Sequence, residues 1–327
     1  MKLFARARAH APNDFATMMA AGREAELAGR GIASLDDLLV ALLVTGGPAA
    51  RVLAAHGATL PSLRSATRER DADDLASIGV DSSRVTQPSR RSLRDAWTSK
   101  RTVELDPVVQ ELLKDAPSER ELLTAVLQHP TGGPAEALCR ACVDVDAVLA
   151  HEPWPSEPTL GKAKPVPGLL DGTRESTSQL LRFVPVPFER VADVITDPAL
   201  VAQWIAGPTA VAVADDVIRV DISRGPKTAV FEMRRSRLER TADRATVVWQ
   251  QFWIEPEQTD PRGYYLQLTA TAADGGTDLR KLQGVNGRGP LAAPARLFSR
   301  LMAQASSHTL VQALVEVASA EPTETGE

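Results

Sequence analysis

Residues 176–205 read STSQLLRFVPVPFERVADVITDPALVAQWI, and this stretch decides the second half of the chain. Residues 177–184 alternate in polarity, the period of two expected of a half-buried strand. Pro185 and Pro187 end that strand. FERVADVIT then places Val191, Val194 and Ile195 three and four apart, so one face of a short helix is apolar. Asp197-Pro198 gives the cap and first-turn proline of another short helix ending at Trp204.

Further strands are expected near 208–214, 217–223, 228–240, 244–254 and 263–273, with a weaker one at 277–285. Asp215-Asp216, Gly225-Pro226 and Asp274-Gly275-Gly276 fall between them, as antiparallel hairpins require. A long helix is expected from Ala292 to Ala318, with Leu297, Leu301, His308, Val311 and Val315 along one stripe.

Upstream, residues 153–175 carry five prolines and read as a semi-rigid linker. Before it, one sentence is written twice. SLDDLLVALLVTGGPAARVL starts at Ser34 and SERELLTAVLQHPTGGPAEAL at Ser118. Each opens on a serine cap, with Asp37 and Glu121 three residues on, and the second is the full capping-box pattern. Each then shows the apolar stripe of a helix, broken by Gly-Gly-Pro, which stops one helix and starts the next. A unit this small cannot bury its stripe alone, so the two copies are expected to pack as one helical domain.

Of 327 residues, 43% are hydrophobic and 24% charged, which fits a globular chain of two or three domains. A net charge of −5 offers no general footprint for nucleic acid, and no run of about 18 apolar residues suggests a membrane span. The start lacks the apolar core of a secretory signal. Two cysteines make no disulfide framework, so a reducing cytoplasm is the simplest setting. Cys139 and Cys142 form one C-x-x-C inside an expected helix and read as buried structural thiols. The run SRRSLRDAWTSKR at 89–101 reads as a solvated connector, and GVNGRGP at 284–290 as a loop.

The first half, on EAELAGRGIASLDDLLVALLVTGGPAARVLAAHGATLPSLR, resembles the N-terminal repeat domain of Clp ATPases, an all-α double repeat that captures substrates and adaptors. The resemblance implies an acidic residue in each repeat that reads phosphorylated arginine. Asp36 falls at the first such place, and Arg120 at the second, with Glu119 and Glu121 beside it. The P-loop of the Clp motor is missing, since TLGKAK at 159–164 lacks the first glycine and the hydroxyl.

The second half, on FVPVPFERVADVITDPALVAQWI, is similar to the SRPBCC or START-like superfamily, an α+β helix-grip fold. Its members wrap an antiparallel sheet round a long C-terminal helix and leave a cavity for an apolar ligand. Parity puts Phe231 with Met233, Trp249 with Trp253, and Tyr264 with Leu266 and Leu268, while Phe252 and Ile254 face the other way. Sequence leaves open which face lies inside, and whether these rings fill a core or line a pocket.

The expected organisation is therefore multidomain. A double helical repeat spans 1–152, the linker 153–175, a helix-grip domain 176–320 and a disordered acidic tail 321–327. Function is expected to be non-catalytic binding, as a Clp-associated adaptor or decoy, with Clp components or their substrates as partners and an apolar small molecule or a protein on the second domain. A cyclase- or hydratase-like enzyme is the alternative. Candidate contacts are Asp36, Arg120 and Glu121 in the first domain, and Trp204, Phe231, Trp249, Trp253, Tyr264, Leu268 and His308 in the second. No metal, cofactor, membrane or nucleic acid is expected.

Overall fold

The computed structural model describes residues 12–80, 103–156, 163–170, 175–205, 209–224, 227–255, 262–286 and 310–320. The basic run at 89–101 and the tail from 321 lie outside the described residues, as do 287–290 of the expected loop and 292–309 of the expected long helix. The chain divides into two compact units, Met1–Glu157 and Pro158–Glu327.

In the first unit, α1 (Pro12–Leu27), α2 (Leu35–Val44), α3 (Pro48–Ala55) and α4 (Leu60–Ser77) are followed by α5 (Pro107–Asp115), α6 (Glu119–Leu127), α7 (Gly133–Arg140) and α8 (Val145–Leu149). Two-residue strands β1 (Ile32–Ala33) and β2 (Glu104–Leu105) pair in parallel ahead of α2 and α5. The core is the duplicated stripe: Leu38, Leu39, Leu42 and Leu43 of α2, and Leu122, Leu123 and Val126 of α6, are buried. Helix α2 packs on α6 and α7, and α4 on α7, so the copies interlock.

The caps depart from expectation. The shorter Asp37 completes the reciprocal box with Ser34, its carboxylate accepting from the Ser34 N–H at 2.9 Å. Glu121 instead accepts from the Ser118 hydroxyl at 2.7 Å, and only the serine arm closes onto the backbone. A two-carbon glutamate arm has other geometries within reach; the aspartate is held by burial and by an ion pair with Arg30.

The second unit has the element order expected of a helix-grip domain. Strand β3 (Glu175–Val184) leads to α9 (Phe188–Thr196) and α10 (Pro198–Ile205). Six strands follow: β4 (Ala210–Ala214), β5 (Val217–Arg224), β6 (Lys227–Arg240), β7 (Arg244–Glu255), β8 (Arg262–Ala273) and β9 (Gly276–Asn286). Helix α11 covers Leu310–Ser319. The seven-stranded sheet is antiparallel, in the order β3-β9-β8-β7-β6-β5-β4.

The last four carbonyls of α9 are all accounted for. Such groups have no partner within their own helix and must find one elsewhere when buried. Asp193 O accepts from the Asp197 N–H at 2.8 Å. Val194 O accepts from the Trp204 indole at 3.0 Å, and Ile195 O from the Trp249 indole at 3.1 Å. Thr196 O takes the Arg235 guanidinium at 2.7 Å. Side chains from α10, β7 and β6 thus pin the C-terminus of α9 to the sheet, where a cation also suits the helix dipole.

Residues 163–170, part of the expected semi-rigid linker, lie on the opposite face of the sheet. Leu170 joins Tyr265 and Leu282 in one apolar cluster, with Ala163, Val166 and Leu169 packed against it. The Val166 N–H donates to the Tyr265 hydroxyl at 3.1 Å, Gln250 donates to the Leu169 carbonyl, and Thr177 to that of Ala163. Proline stiffens this segment without preventing its apolar side chains from finding a surface.

Leu170→Ala is expected to cost about 2 kcal/mol or more, as for a core leucine. Ile78→Ala, at an exposed site, should change stability by less than about 0.5 kcal/mol. Equal, negligible losses in denaturant melts of the full chain would return 163–170 to the role of tether.

Candidate functional site

Register decides what the inner face of the second unit carries. Trp249 and Arg235, which reach α9, face each other across β7 and β6, so their side of the sheet is the one against the helices. On that side Trp249 opposes Leu266, Val247 opposes Leu268, and Leu268 opposes Lys281. Phe231 opposes Trp253, and Met233 opposes Gln251, which in turn opposes Tyr264. Every ring singled out by parity on β6, β7 and β8 therefore shares one face.

Burial along this face is graded. The layers nearest α9 are sealed: Val247, Trp249, Leu266, Leu268 and Ala270 are inaccessible to solvent. In the next two layers, Gln251, Tyr264 and Val285, then Phe231 and Trp253, are only half-buried. Phe231 and Trp253 meet edge to face with centroids 5.6 Å apart, a geometry their quadrupoles favour. Large rings left half-open beside a polar amide are what a ligand-facing wall requires.

This divides the expected contacts. Phe231, Trp253 and Tyr264 stand in the accessible part. Trp204, Trp249 and Leu268 do not: all three are sealed, and both indoles are committed to carbonyls of α9. Tryptophan carries one donor, so an N–H that caps a helix is not offered to a ligand. His308 lies outside the described residues.

Sequence reading missed two buried cations on the same face. Lys281 is 3% exposed and sits between Leu180 and Leu268, and Arg182, 4% exposed, opposes Leu279 one layer away. Burial brings the Lys281 amine down to about 7. Strict alternation along β9 carried the signal, since Leu279, Lys281, Gln283 and Val285 share a face. Yet a lysine at an inner position is discounted by any reading that expects charge outside.

In the first unit the acidic candidates are engaged internally. Both Asp36 oxygens hold Arg70, at 2.9 and 2.7 Å, and Arg70 also reaches Asp71 at 3.0 Å. The Asp36 hydrogen bond is the foremost cause holding that guanidinium in its charged form. Arg70 lies against the second Gly-Gly-Pro turn, where a Cβ on Gly133 would come within 2.7 Å of its Nη1. Arg120 is exposed, pairs with Glu152 at 2.5 Å and lies over the Trp154 ring at 5.4 Å. Glu121 is spent on the cap already described. None of the three is assembled with the others into one ligand site.

The missed residue here is Glu119. It is buried, and its carboxylate accepts from the Ala49 N–H at 3.1 Å, closing the start of α3 from 70 positions away. Gly47 leaves the room, since a side chain there would collide with that carboxylate. A carboxylate at a helix N-terminus is favourable for both donor supply and dipole. The copies also meet at His56 and His151, whose ring nitrogens are 3.1 Å apart.

The cysteines are corrected too. Both are exposed: Cys139 lies within α7, and Cys142 follows the helix end in a left-handed conformation at φ 60°. Among the described residues, no cluster of His, Cys, Asp or Glu could hold a metal ion, and no single helix is long and apolar enough to cross a membrane.

No family model and no curated protein matches the chain. Among solved structures, protein Ms6760 from Mycobacterium smegmatis is 16% identical at a TM-score of 0.32, over 46% of this chain and 93% of that one. Ara h 8.0201 is 14% identical at 0.34, over 44% and 97%. A putative uncharacterised protein from Rhizobium leguminosarum is 17% identical at 0.31, over 44% and 95%. Likenesses at such scores carry no argument about function, and the fold rests on the strand order and register above.

Two outcomes are expected. Between the folded value of about 7 and the ordinary 10.5 of Lys281, the unfolded chain binds the extra proton, so the second unit gains stability as pH rises from 7 to 10. Lys281→Met should flatten that slope in urea melts. Glu119→Ala should destabilise the first unit by about 1–3 kcal/mol, whereas Glu121→Ala, at an exposed cap, should cost about 1 kcal/mol or less.

Proposed function

We propose that this chain is a non-catalytic binding protein whose second unit takes an apolar small molecule on the half-buried part of its inner face. The observation that carries the reading is the gradient of burial. The same face that is sealed at Trp249 and Leu268 leaves Phe231, Trp253 and Tyr264 half-open. Packing alone would favour closing that end with apolar contact, because each fully buried ring contributes about 1.5–3 kcal/mol.

A narrower reading, as an adaptor docking on a Clp unfoldase, is supported by the duplicated, interlocked helices of the first unit and by the resemblance of their sequence. Capture of phosphorylated arginine, the basis of a decoy role, loses support, because Asp36 is held by Arg70 and Arg120 by Glu152. Full-length protein is expected to show no saturable affinity for an arginine-phosphorylated peptide.

The binding reading is tested with a neutral apolar fluorophore such as N-phenylnaphthylamine. One saturable site is expected on the full chain. Replacing Phe231 and Trp253 together by alanine should weaken it at least tenfold, a loss of about 1.4 kcal/mol. Absence of saturable binding, or an unchanged affinity in the double variant, would overturn it.

A further inference from the structure

Among the described residues, α1, α3, α4 and α7 end in the same way. A residue of positive φ donates its N–H three positions back, and the next residue donates five positions back. At the first three ends that residue is Gly29, Gly57 or Gly79, with φ of 76°, 89° and 77°. At the fourth it is Cys142, at φ 60°. A Cβ is crowded in this left-handed conformation, which is why glycine is the usual choice.

The repeat sharpens the contrast. Ala58 donates to Leu53 O and Val143 to Leu138 O, both at 2.9 Å, so Gly57 matches Cys142 and Ala54 matches Cys139. The second copy carries sulfur at both places where the first carries alanine and glycine. Neither packing nor hydrogen bonding asks for it. Leu138 and Val143 beside them are buried, yet both cysteines are exposed, in a residue type that is ordinarily among the most buried. Gly57 makes the same backbone bond that Cys142 makes.

The ends of this turn are close enough to join. The Cys142 N–H donates to Cys139 O at 3.0 Å, and such a four-residue turn holds its outer Cα atoms within about 7 Å. A disulfide asks for roughly 4.4–6.8 Å. Arg140, between the two, is tied to Asp73 of α4 at 2.6 Å and to Glu136 at 2.8 Å, which fixes this end of α7. Among the described residues no third ligand joins the pair to hold a metal ion.

We propose that Cys139 and Cys142 are a surface dithiol that closes reversibly to a disulfide by exchange with a low-molecular-weight disulfide. One thiol loses its proton to water, and its thiolate attacks the small disulfide. A mixed disulfide forms, and one thiolate leaves and takes up a proton. The second protein thiolate then attacks the protein sulfur of that mixed disulfide and expels the other half as a second thiol. Two protein thiols are oxidised and one small disulfide is reduced to two thiols. The backbone strain at Cys142 is the cost of placing the second sulfur within reach of the first. This site is independent of the inner face of the sheet.

Intact-mass measurement on the full chain, treated with excess glutathione disulfide, tests the assignment. The chain is expected to lose two hydrogens, and the closed form should exceed any glutathione adduct by about tenfold or more, because the second attack is intramolecular. Dithiothreitol should restore both thiols. Cys139→Ser and Cys142→Ser should each keep one glutathione adduct, since the resolving thiol is gone. Under reducing conditions Cys142→Gly should melt no lower than the unaltered chain. Adducts on both cysteines without closure, a disulfide-linked dimer, or thiols that stay free would overturn the proposal. A lower melting point for Cys142→Gly would do the same, by giving the thiol a packing role.

Discussion

The second unit depends on how one short helix ends. The final turn of α9 presents four carbonyls, and an intrahelical partner exists for none of them. The chain supplies one backbone N–H and three side chains from three different elements. Leaving any one of these buried acceptors unmet would cost about 1–3 kcal/mol. Because Trp204, Trp249 and Arg235 come from α10, β7 and β6, meeting that demand fixes the helices on the sheet and decides which face is inner. Register then carries the consequence outward to Lys281 and Trp253.

A comparable economy holds the first unit. Its two copies are joined less by their similarity than by the places where they differ. Ser34 and Ser118 open equivalent helices, yet the residue after the cap is Leu35 in one and Glu119 in the other, and only the glutamate can reach across to Ala49. Asp36 and Arg120 are the next equivalent pair, and their opposite signs send them to different partners, Arg70 and Glu152. Duplication gave the scaffold, and divergence at Glu119 gave a joint between the copies, while the pairs of Asp36 and Arg120 each stay within their own copy.

Local features were legible and long-range ones were not. Alternation located the seven strands of the sheet within about two residues, and the spacing of Val191, Val194 and Ile195 marked α9. Those signals are periodic, so neighbours in sequence suffice to read them. What Trp249 donates to, or that Glu119 closes a helix 70 residues earlier, depends on pairings that periodicity does not encode. Residues 163–170 misled for a different reason: proline density reports backbone stiffness and says nothing of where Leu169 and Leu170 come to rest. For the candidate site, parity put Phe231, Trp253 and Tyr264 each on one face of its own strand, and register joined those faces. Parity could not separate them from Trp249 and Leu268, because depth varies along a face that alternation treats as uniform.

The borrowed carboxylate at α3 also bears on how the first unit comes apart. An element whose opening turn is completed by a group on another copy has no finished state of its own. Cutting the chain between the copies would leave one half with exposed amide donors and the other with a stranded acid that burial no longer compensates. Loss of structure should thus propagate through both halves at once, as a single transition, and a lone copy should not persist as a half-folded species.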